Sequence, residues 1–125
     1  MRTWWRSLFA RKVSALPGVD DVNRLREAYG RLTDQELKLA GRMARTVSEV
    51  VAVTAVVASR VLGLTMFDVQ LQGAIALSSE HIVEMQTGEG KTLAAVPAVV
   101  WHARSGSGVH VLARGAAPGR SPGSA

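Results

Sequence analysis

The stretch VEMQTGEGKTLAAV, residues 83–96, joins a short β-branched run to a glycine-rich turn and an apolar helix start. Gly88 and Gly90 allow the backbone to turn tightly, so that successive N–H groups face one anion. A helix after the turn adds its unpaired N–H groups and the positive end of its dipole. The spacing predicts a loop that holds the phosphates of a nucleotide.

The segments on either side of this loop predict the order strand, loop, helix, strand. The alternating run HIVEM, His81–Met85, predicts a strand, and TLAAVPAVVWHA predicts a helix with a bend at Pro97. After the turn SGSG, the run VHVLA, Val109–Ala113, predicts a second strand. Such a crossover makes its two strands parallel, so the sequence predicts one βαβ unit.

Upstream of the loop, apolar periodicity and helix caps predict a helical region. Thr33 and Glu36 have the spacing of a capping box, and Gly63 is a suitable left-handed stop. The predicted helices run over Asp21–Tyr29, from Thr33 to about Arg45, over Val47–Leu62 and over Asp68–Leu77.

The composition is that of a basic protein without cysteine, and the length fits one ordinary domain. Its 125 residues are 47% hydrophobic, and the absence of cysteine excludes disulfides and thiolate metal sites. The net charge of +5 favours an anionic partner, which leaves nucleic acid, anionic lipid and an acidic protein face open. The longest apolar run, residues 50–59, is about half the length of a membrane span and predicts a buried helix.

The N-terminal segment is basic and amphipathic. Trp5, Leu8 and Phe9 recur at helical spacing with arginines between them, and no acidic residue precedes Asp20. One interpretation is a short helix that packs on its own domain. The other is a helix that docks on a membrane surface or a partner, with Trp and Arg at the lipid interface.

The loop itself matches a known variant of the phosphate-binding pattern. Lys91 would reach the β- and γ-phosphates, and the Thr92 hydroxyl would ligate Mg²⁺. The full pattern has glycine where this chain has Met85, but the variant of superfamily 2 helicases matches from Thr87 through Thr92. The alternative is a glycine-rich turn without a ligand.

Gln70 lies shortly before the loop, 17 residues ahead of Thr87. In the helicase-like group a glutamine shortly before the loop contacts adenine, because its amide both donates and accepts hydrogen bonds. The alternative is a surface glutamine on a short helix.

Between about Leu32 and Leu112 the sequence resembles the SecA family of preprotein-translocating ATPases. The similar segments are LTDQELK, RVLGLTMFDVQLQGAIAL, EMQTGEGKTLAAVPAV and GVHVL, and the resemblance accounts for Met85. It implies an α/β fold, in which N-terminal helices precede the first, incomplete βαβ unit of a RecA-like, superfamily 2-like domain. It assigns ATP and Mg²⁺ to the Walker A residues Thr87, Gly88, Glu89, Gly90, Lys91 and Thr92, and adenine to Gln70.

The resemblance also implies a cellular role. A SecA-type subunit drives preproteins through the Sec channel, as a cytoplasmic protein peripheral to the plasma membrane that contacts anionic lipid; no nucleic acid is expected. The alternative is a small basic, non-enzymatic adaptor on anionic membrane or an acidic partner. A helicase fragment is disfavoured, because FDVQL and Met85 match the translocase branch and stacking aromatics are few.

The expected organisation has four parts, which do not make up a complete motor. They are a basic segment (1–20), a helical region (21–64), the start of a nucleotide-binding domain (65–113) and a tail (114–125). The tail contains only Arg, Gly, Ala, Pro and Ser, which predicts either a frameshifted or premature end or a genuine flexible tail. No Asp or Glu follows Glu89, so we expect ATP binding without turnover and assign no catalytic residue.

Overall fold

The computed structural model describes residues 17–85 and 90–112. The predicted N-terminal helix, the loop residues Thr87, Gly88 and Glu89, and the tail from 114 lie outside these residues. The described part contains five helices: α1 Val19–Tyr29, α2 Asp34–Met43, α3 Val47–Leu62, α4 Asp68–Ser78 and α5 Lys91–Ala103.

The helix boundaries follow local capping chemistry. The capping box before α2 is confirmed: the Glu36 N–H donates to Thr33 Oγ1 at 3.2 Å, and the Thr33 N–H donates to Glu36 Oε2 at 2.8 Å. Gly63 ends α3 with φ +65°, the left-handed conformation predicted for it. The sequence predicted that α2 would end near Arg45, but the helix ends two residues earlier, at Met43.

Helix α3 lies at the centre and packs against the other four helices. Its fully buried Ala52 and Ala55 have small side chains, which let neighbouring helices approach closely. The core combines residues on both sides of the boundary predicted at 64/65. Its members are Val22, Val51, Ala52, Ala55, Met66, Leu71, Ala74 and Ile75.

Two arginines connect segments that are distant in sequence. Arg60 of α3 donates to the Leu32 carbonyl at 2.6 Å and to the Asp34 carboxylate at 2.8 Å, and so holds the turn between α1 and α2. Arg104, just after α5, donates to carbonyl groups at the end of α2, including that of Gly41 at 3.1 Å. Both contacts satisfy carbonyl groups near helix ends or turns, which have no partner within a helix.

The two predicted strands are not formed in the described part of the chain. Residues 81–85 and 109–112 contain no strand, and no backbone hydrogen bond joins these two segments. The segment at 81–85 instead makes one backbone contact to α4, from the His81 N–H to the Ala76 carbonyl at 2.9 Å. A strand requires a ladder of bonds to a neighbouring strand, so alternation without a paired neighbour does not suffice. The helical part of the prediction is confirmed, whereas the βαβ unit is not seen.

Helix α5 continues through Pro97, where the sequence predicted a bend. A proline inside a helix removes one backbone hydrogen bond and crowds the preceding turn. Pro97 is nevertheless fully buried, and the helical assignment extends six residues beyond it to Ala103. The buried ring therefore lies within a helix that runs on to Ala103, and the bend at Pro97 stays a prediction.

Candidate nucleotide-binding site

The candidate loop leads into the N-terminus of α5. Gly90 is the residue before the helix and has φ +77° and ψ +52°, a left-handed conformation that glycine adopts without steric cost. Its carbonyl accepts the first bond of the helix, from the Ala94 N–H at 3.1 Å. The glycine predicted to provide a tight turn is therefore found in a conformation that requires it.

Lys91 and Thr92 form the exposed first turn of α5. This turn contains no acidic side chain, although acidic residues are common at this end of a helix. The first N–H groups of a helix have no partner within it, and together with the helix dipole and the Lys91 ammonium they would favour a bound anion. The donor set therefore fits phosphate, and the Thr92 hydroxyl is an oxygen ligand of the kind that Mg²⁺ accepts.

Gln70 lies next to this turn and not on the protein surface. Its side chain projects from the first turn of α4, and the residue is only 5% exposed. Its Oε1 accepts from the Phe67 N–H at 2.9 Å, and its Nε2 approaches the Gly90 carbonyl at 3.5 Å. The alternative of a surface glutamine is wrong, and the structure brings Gln70 and Gly90 together across twenty residues of sequence.

The residue before the undescribed part of the loop is also anchored on α4. Met85 is 9% exposed, and its sulfur lies 3.1 Å from the position that a Cβ on Gly73 would occupy. Gly73 follows Gln70 by three residues and thus shares its helix face. The sequence interpretation did not single out Gly73, although a glycine in a helix interior is a signal of close packing.

Elsewhere in the described residues, a cavity of about 530 Å³ lies between α1 and α3. Asn23, Arg26 and Arg60 are among its lining residues, and Gln70 and Lys91 are not. Both guanidinium groups in this cavity already donate to backbone carbonyl groups, Arg26 to that of Met66 at 3.1 Å and Arg60 to that of Leu32. The cavity is therefore separate from the candidate nucleotide site.

No helix within residues 17–85 and 90–112 combines the length and the apolar character needed to cross a bilayer. The predicted buried helix at the longest apolar run is present as the middle of α3, where Val50, Val51 and Ala52 are buried.

Comparison with known proteins identifies relatives of this chain. The family model of the SecA DEAD-like domain matches residues 9–115. The protein translocase subunit SecA of Desulforamulus reducens is 39% identical in an alignment covering 90% of this chain and 14% of that protein. SecA of Thermodesulfovibrio yellowstonii is 42% identical, over 75% of this chain and 12% of that protein.

A third relative, SecA of a Sulfurovum species, is 39% identical over 79% of this chain and 13% of its own length. The chain therefore spans between 12% and 14% of the length of these three curated relatives. The matched region contains the candidate loop, the whole of α4 and the whole of α5.

Proposed function

Because this chain belongs to the SecA family, whose DEAD-like domain model matches residues 9–115, we propose that it is the ATP-binding part of a SecA-type protein translocase. The observation that carries the proposal is the start of α5. There the left-handed Gly90 precedes an exposed turn that bears Lys91 and Thr92 and lacks an acidic residue.

In this proposal each residue of the turn has a separate task. Lys91 neutralises charge on the β- and γ-phosphates, and the Thr92 hydroxyl ligates Mg²⁺. The first N–H groups of α5, which have no partner inside the helix, donate to phosphate oxygens. Mg²⁺, when bound, neutralises further phosphate charge. The family pattern assigns Thr87, Gly88 and Glu89 to the same phosphates and Gln70 to adenine.

The wider cellular role rests on the family. We assign residues 65–113 to the beginning of the first βαβ unit of a RecA-like nucleotide-binding domain and residues 21–64 to the helical region before it. The proposed partners are the Sec channel, preproteins and anionic lipid at the cytoplasmic face of the plasma membrane. The names of the relatives, which are protein translocase subunits, support the translocase part of this assignment.

A binding titration with a matched control tests the proposal. The full chain is titrated with a fluorescent ATP analogue in the presence and absence of Mg²⁺. We expect Lys91→Ala to weaken binding at least about tenfold, since a hydrogen bond to a charged group contributes about 1.5–3 kcal/mol. Lys38→Ala removes an equal charge from the exposed face of α2 and should leave the affinity unchanged.

The role of Thr92 is tested in the same titration. Thr92→Ala should abolish the gain in affinity that Mg²⁺ provides while sparing most of the binding without the metal, because the hydroxyl acts only through the metal. If Lys91→Ala and the parent chain bind the analogue equally, the nucleotide-binding proposal is wrong and the adaptor hypothesis takes its place.

A further inference from the structure

Arg26 connects helix α1 to the residue that precedes the start of α4. Its Nη1 donates to the carbonyl oxygen of Met66 at 3.1 Å, across 40 residues of sequence. Met66 is a core residue that is only 1% exposed, and Phe67, which follows it, is the N-cap residue of α4. The guanidinium therefore satisfies a backbone carbonyl group beside the core, where water has little access.

The Met66 carbonyl and the Phe67 N–H belong to the same peptide group. On the other side of that group, the Phe67 N–H donates to Gln70 Oε1 at 2.9 Å. Because a trans peptide group is planar and its C=O and N–H point in opposite directions, a contact that fixes one also fixes the other. Linked hydrogen bonds also polarise one another. The orientation of the Gln70 amide therefore depends on a side chain of α1.

Asn23, one turn before Arg26 on α1, supports the same contact. Its Oδ1 accepts from Arg26 Nη1 at 3.1 Å, and its Nδ2 donates to the Asp68 carboxylate at 3.2 Å. Asp68 is the first residue of α4. The two side chains of α1 thus contact the residues on both sides of Phe67, and they tie the start of α4 to α1 at two points.

The Gln70 amide keeps one donor and one acceptor for a ligand. An amide has two N–H donors and an oxygen with two lone pairs. One N–H faces the Gly90 carbonyl at 3.5 Å and one lone pair accepts from the Phe67 N–H, so one of each remains. The family pattern assigns Gln70 to adenine, whose edge presents one donor and one acceptor. Such a pair of hydrogen bonds depends on the angle at which the amide is held.

We propose that Arg26 is a positioning residue for the adenine base, because it holds the Gln70 amide through the peptide group that joins Met66 to Phe67. The inference rests on the proposed nucleotide binding. Lys91, which is assigned to phosphate, belongs to α5, whereas the contacts of Arg26 are within α1 and at the start of α4. Loss of Arg26 should therefore weaken the contribution of the base to affinity and spare that of the phosphates.

The first experiment compares a ligand that has a base with one that has none. Affinities for ATP and for inorganic tripolyphosphate, each with Mg²⁺, are measured on the full chain and on Arg26→Met, which keeps an unbranched side chain without a donor. We expect the ATP affinity to fall about fivefold, the value of about one hydrogen bond, and the tripolyphosphate affinity to stay unchanged. Arg24→Met removes the same charge from an exposed position of α1 and should bind both ligands as the parent does.

The second experiment needs no ligand. Hydrogen exchange of the Phe67 N–H reports its bond to Gln70, and exchange of the Leu37 N–H, which donates to the Thr33 carbonyl, reports a helix start on α2. We expect Arg26→Met to speed exchange at Phe67 about fivefold and to leave exchange at Leu37 unchanged. Arg26→Lys keeps a donor in a different geometry, so it should speed exchange at Phe67 less and restore part of the ATP affinity.

The outcomes separate this proposal from the nucleotide-binding one. An unchanged ATP affinity in Arg26→Met, or equal losses of ATP and tripolyphosphate affinity, would overturn the positioning role. Exchange at Phe67 that is unchanged, or that rises only together with exchange at Leu37, would overturn it as well. If the parent chain binds neither ligand, the proposed function fails, and faster exchange at Phe67 alone still supports control of this peptide group by Arg26.

Discussion

Replacing Gly90 by alanine tests the contact between the loop and α4 through the free energy of unfolding. The left-handed φ of +77° costs a residue with a Cβ about 1–2 kcal/mol. The new Cβ would also displace Gln70 Nε2, which it would approach to 2.1 Å. Loss of the two Gln70 contacts adds about 1 kcal/mol each, so Gly90→Ala should cost about 3–4 kcal/mol in total.

The variant Gly63→Ala separates the cost of the left-handed backbone from the cost of losing the Gln70 contacts. It has a similar φ of +65°, but a Cβ added there would meet no atom within 4 Å. Gly63→Ala should therefore cost only the backbone term of about 1–2 kcal/mol. The difference between the two glycine variants measures the contact with Gln70.

The assay is urea unfolding followed by far-ultraviolet circular dichroism, which reports the helices that make up the described fold. In a Gln70→Ala background the side chain no longer obstructs a Cβ, so Gly90→Ala should cost only about 1–2 kcal/mol. The double-mutant cycle then gives a coupling of about 2 kcal/mol. Strictly additive effects, or equal costs at Gly90 and Gly63, would refute the reasoning.

Three further predictions concern the helical framework. Arg104→Ala should lower the free energy of unfolding by about 1–2 kcal/mol in urea, because it removes donors to three carbonyl groups at the end of α2. Thr33→Ala should cost about 1 kcal/mol through loss of the capping box and should reduce helix content near α2. Burial, and secondarily the charge of Glu49, raises the pKa of Tyr29 above 10.0. The contribution of the neutral Tyr29 hydroxyl to the free energy of unfolding is therefore fully present below about pH 10 and is lost as the pH rises through the higher folded pKa. Tyr29→Phe should flatten the dependence of the free energy of unfolding on alkaline pH.

Each of these predictions has an informative control. Arg104→Lys keeps the charge but has fewer donors in a different geometry, so it should recover only part of the lost stability. Thr33→Ser keeps the hydroxyl and should match the parent chain. A parent chain and a Tyr29→Phe variant with the same alkaline profile would contradict the assignment of that pH dependence to Tyr29.

The helices could be predicted from sequence because their signals are local. The Thr33 capping box lies within four residues of its helix start, and Gly63 directly follows its helix end. These residues satisfy backbone groups of the same segment, so no knowledge of the tertiary fold is required. The turn at Gly90 was predicted for the same reason, since a left-handed backbone conformation favours glycine in any fold.

The contacts that sequence could not predict are those made between segments. Arg60 and Arg104 donate to carbonyl groups that lie 28 and 63 residues away, respectively. Arginine is common on exposed helix faces, so neither spacing nor residue type distinguishes these two from their neighbours. The burial of Gln70 belongs to the same class, since it depends on how α4 packs against α5.

The segment before the loop shows that alternating burial can be predicted from sequence, whereas strand pairing cannot. Along 82–85 burial alternates: Ile82 is 82% exposed and Glu84 is exposed, whereas Val83 is partly buried and Met85 is buried. Packing against a helix is sufficient to choose the inward face, because alternate side chains of an extended chain point in opposite directions. The hydrogen-bond ladder that defines a strand requires a neighbouring strand, and alternating residue types do not predict whether one is present.

Helix α4 consequently positions both ends of the candidate loop. Met85, on the side where the chain enters, packs its sulfur against the bare backbone of Gly73. Gly90, on the side where α5 begins, packs its bare backbone against the amide of Gln70. Gln70 and Gly73 are three residues apart and share one helix face, and each contact pairs a glycine with a long side chain. A substitution of Gln70 or Gly73 should therefore alter the ends of the candidate loop without removing any residue that is assigned to phosphate.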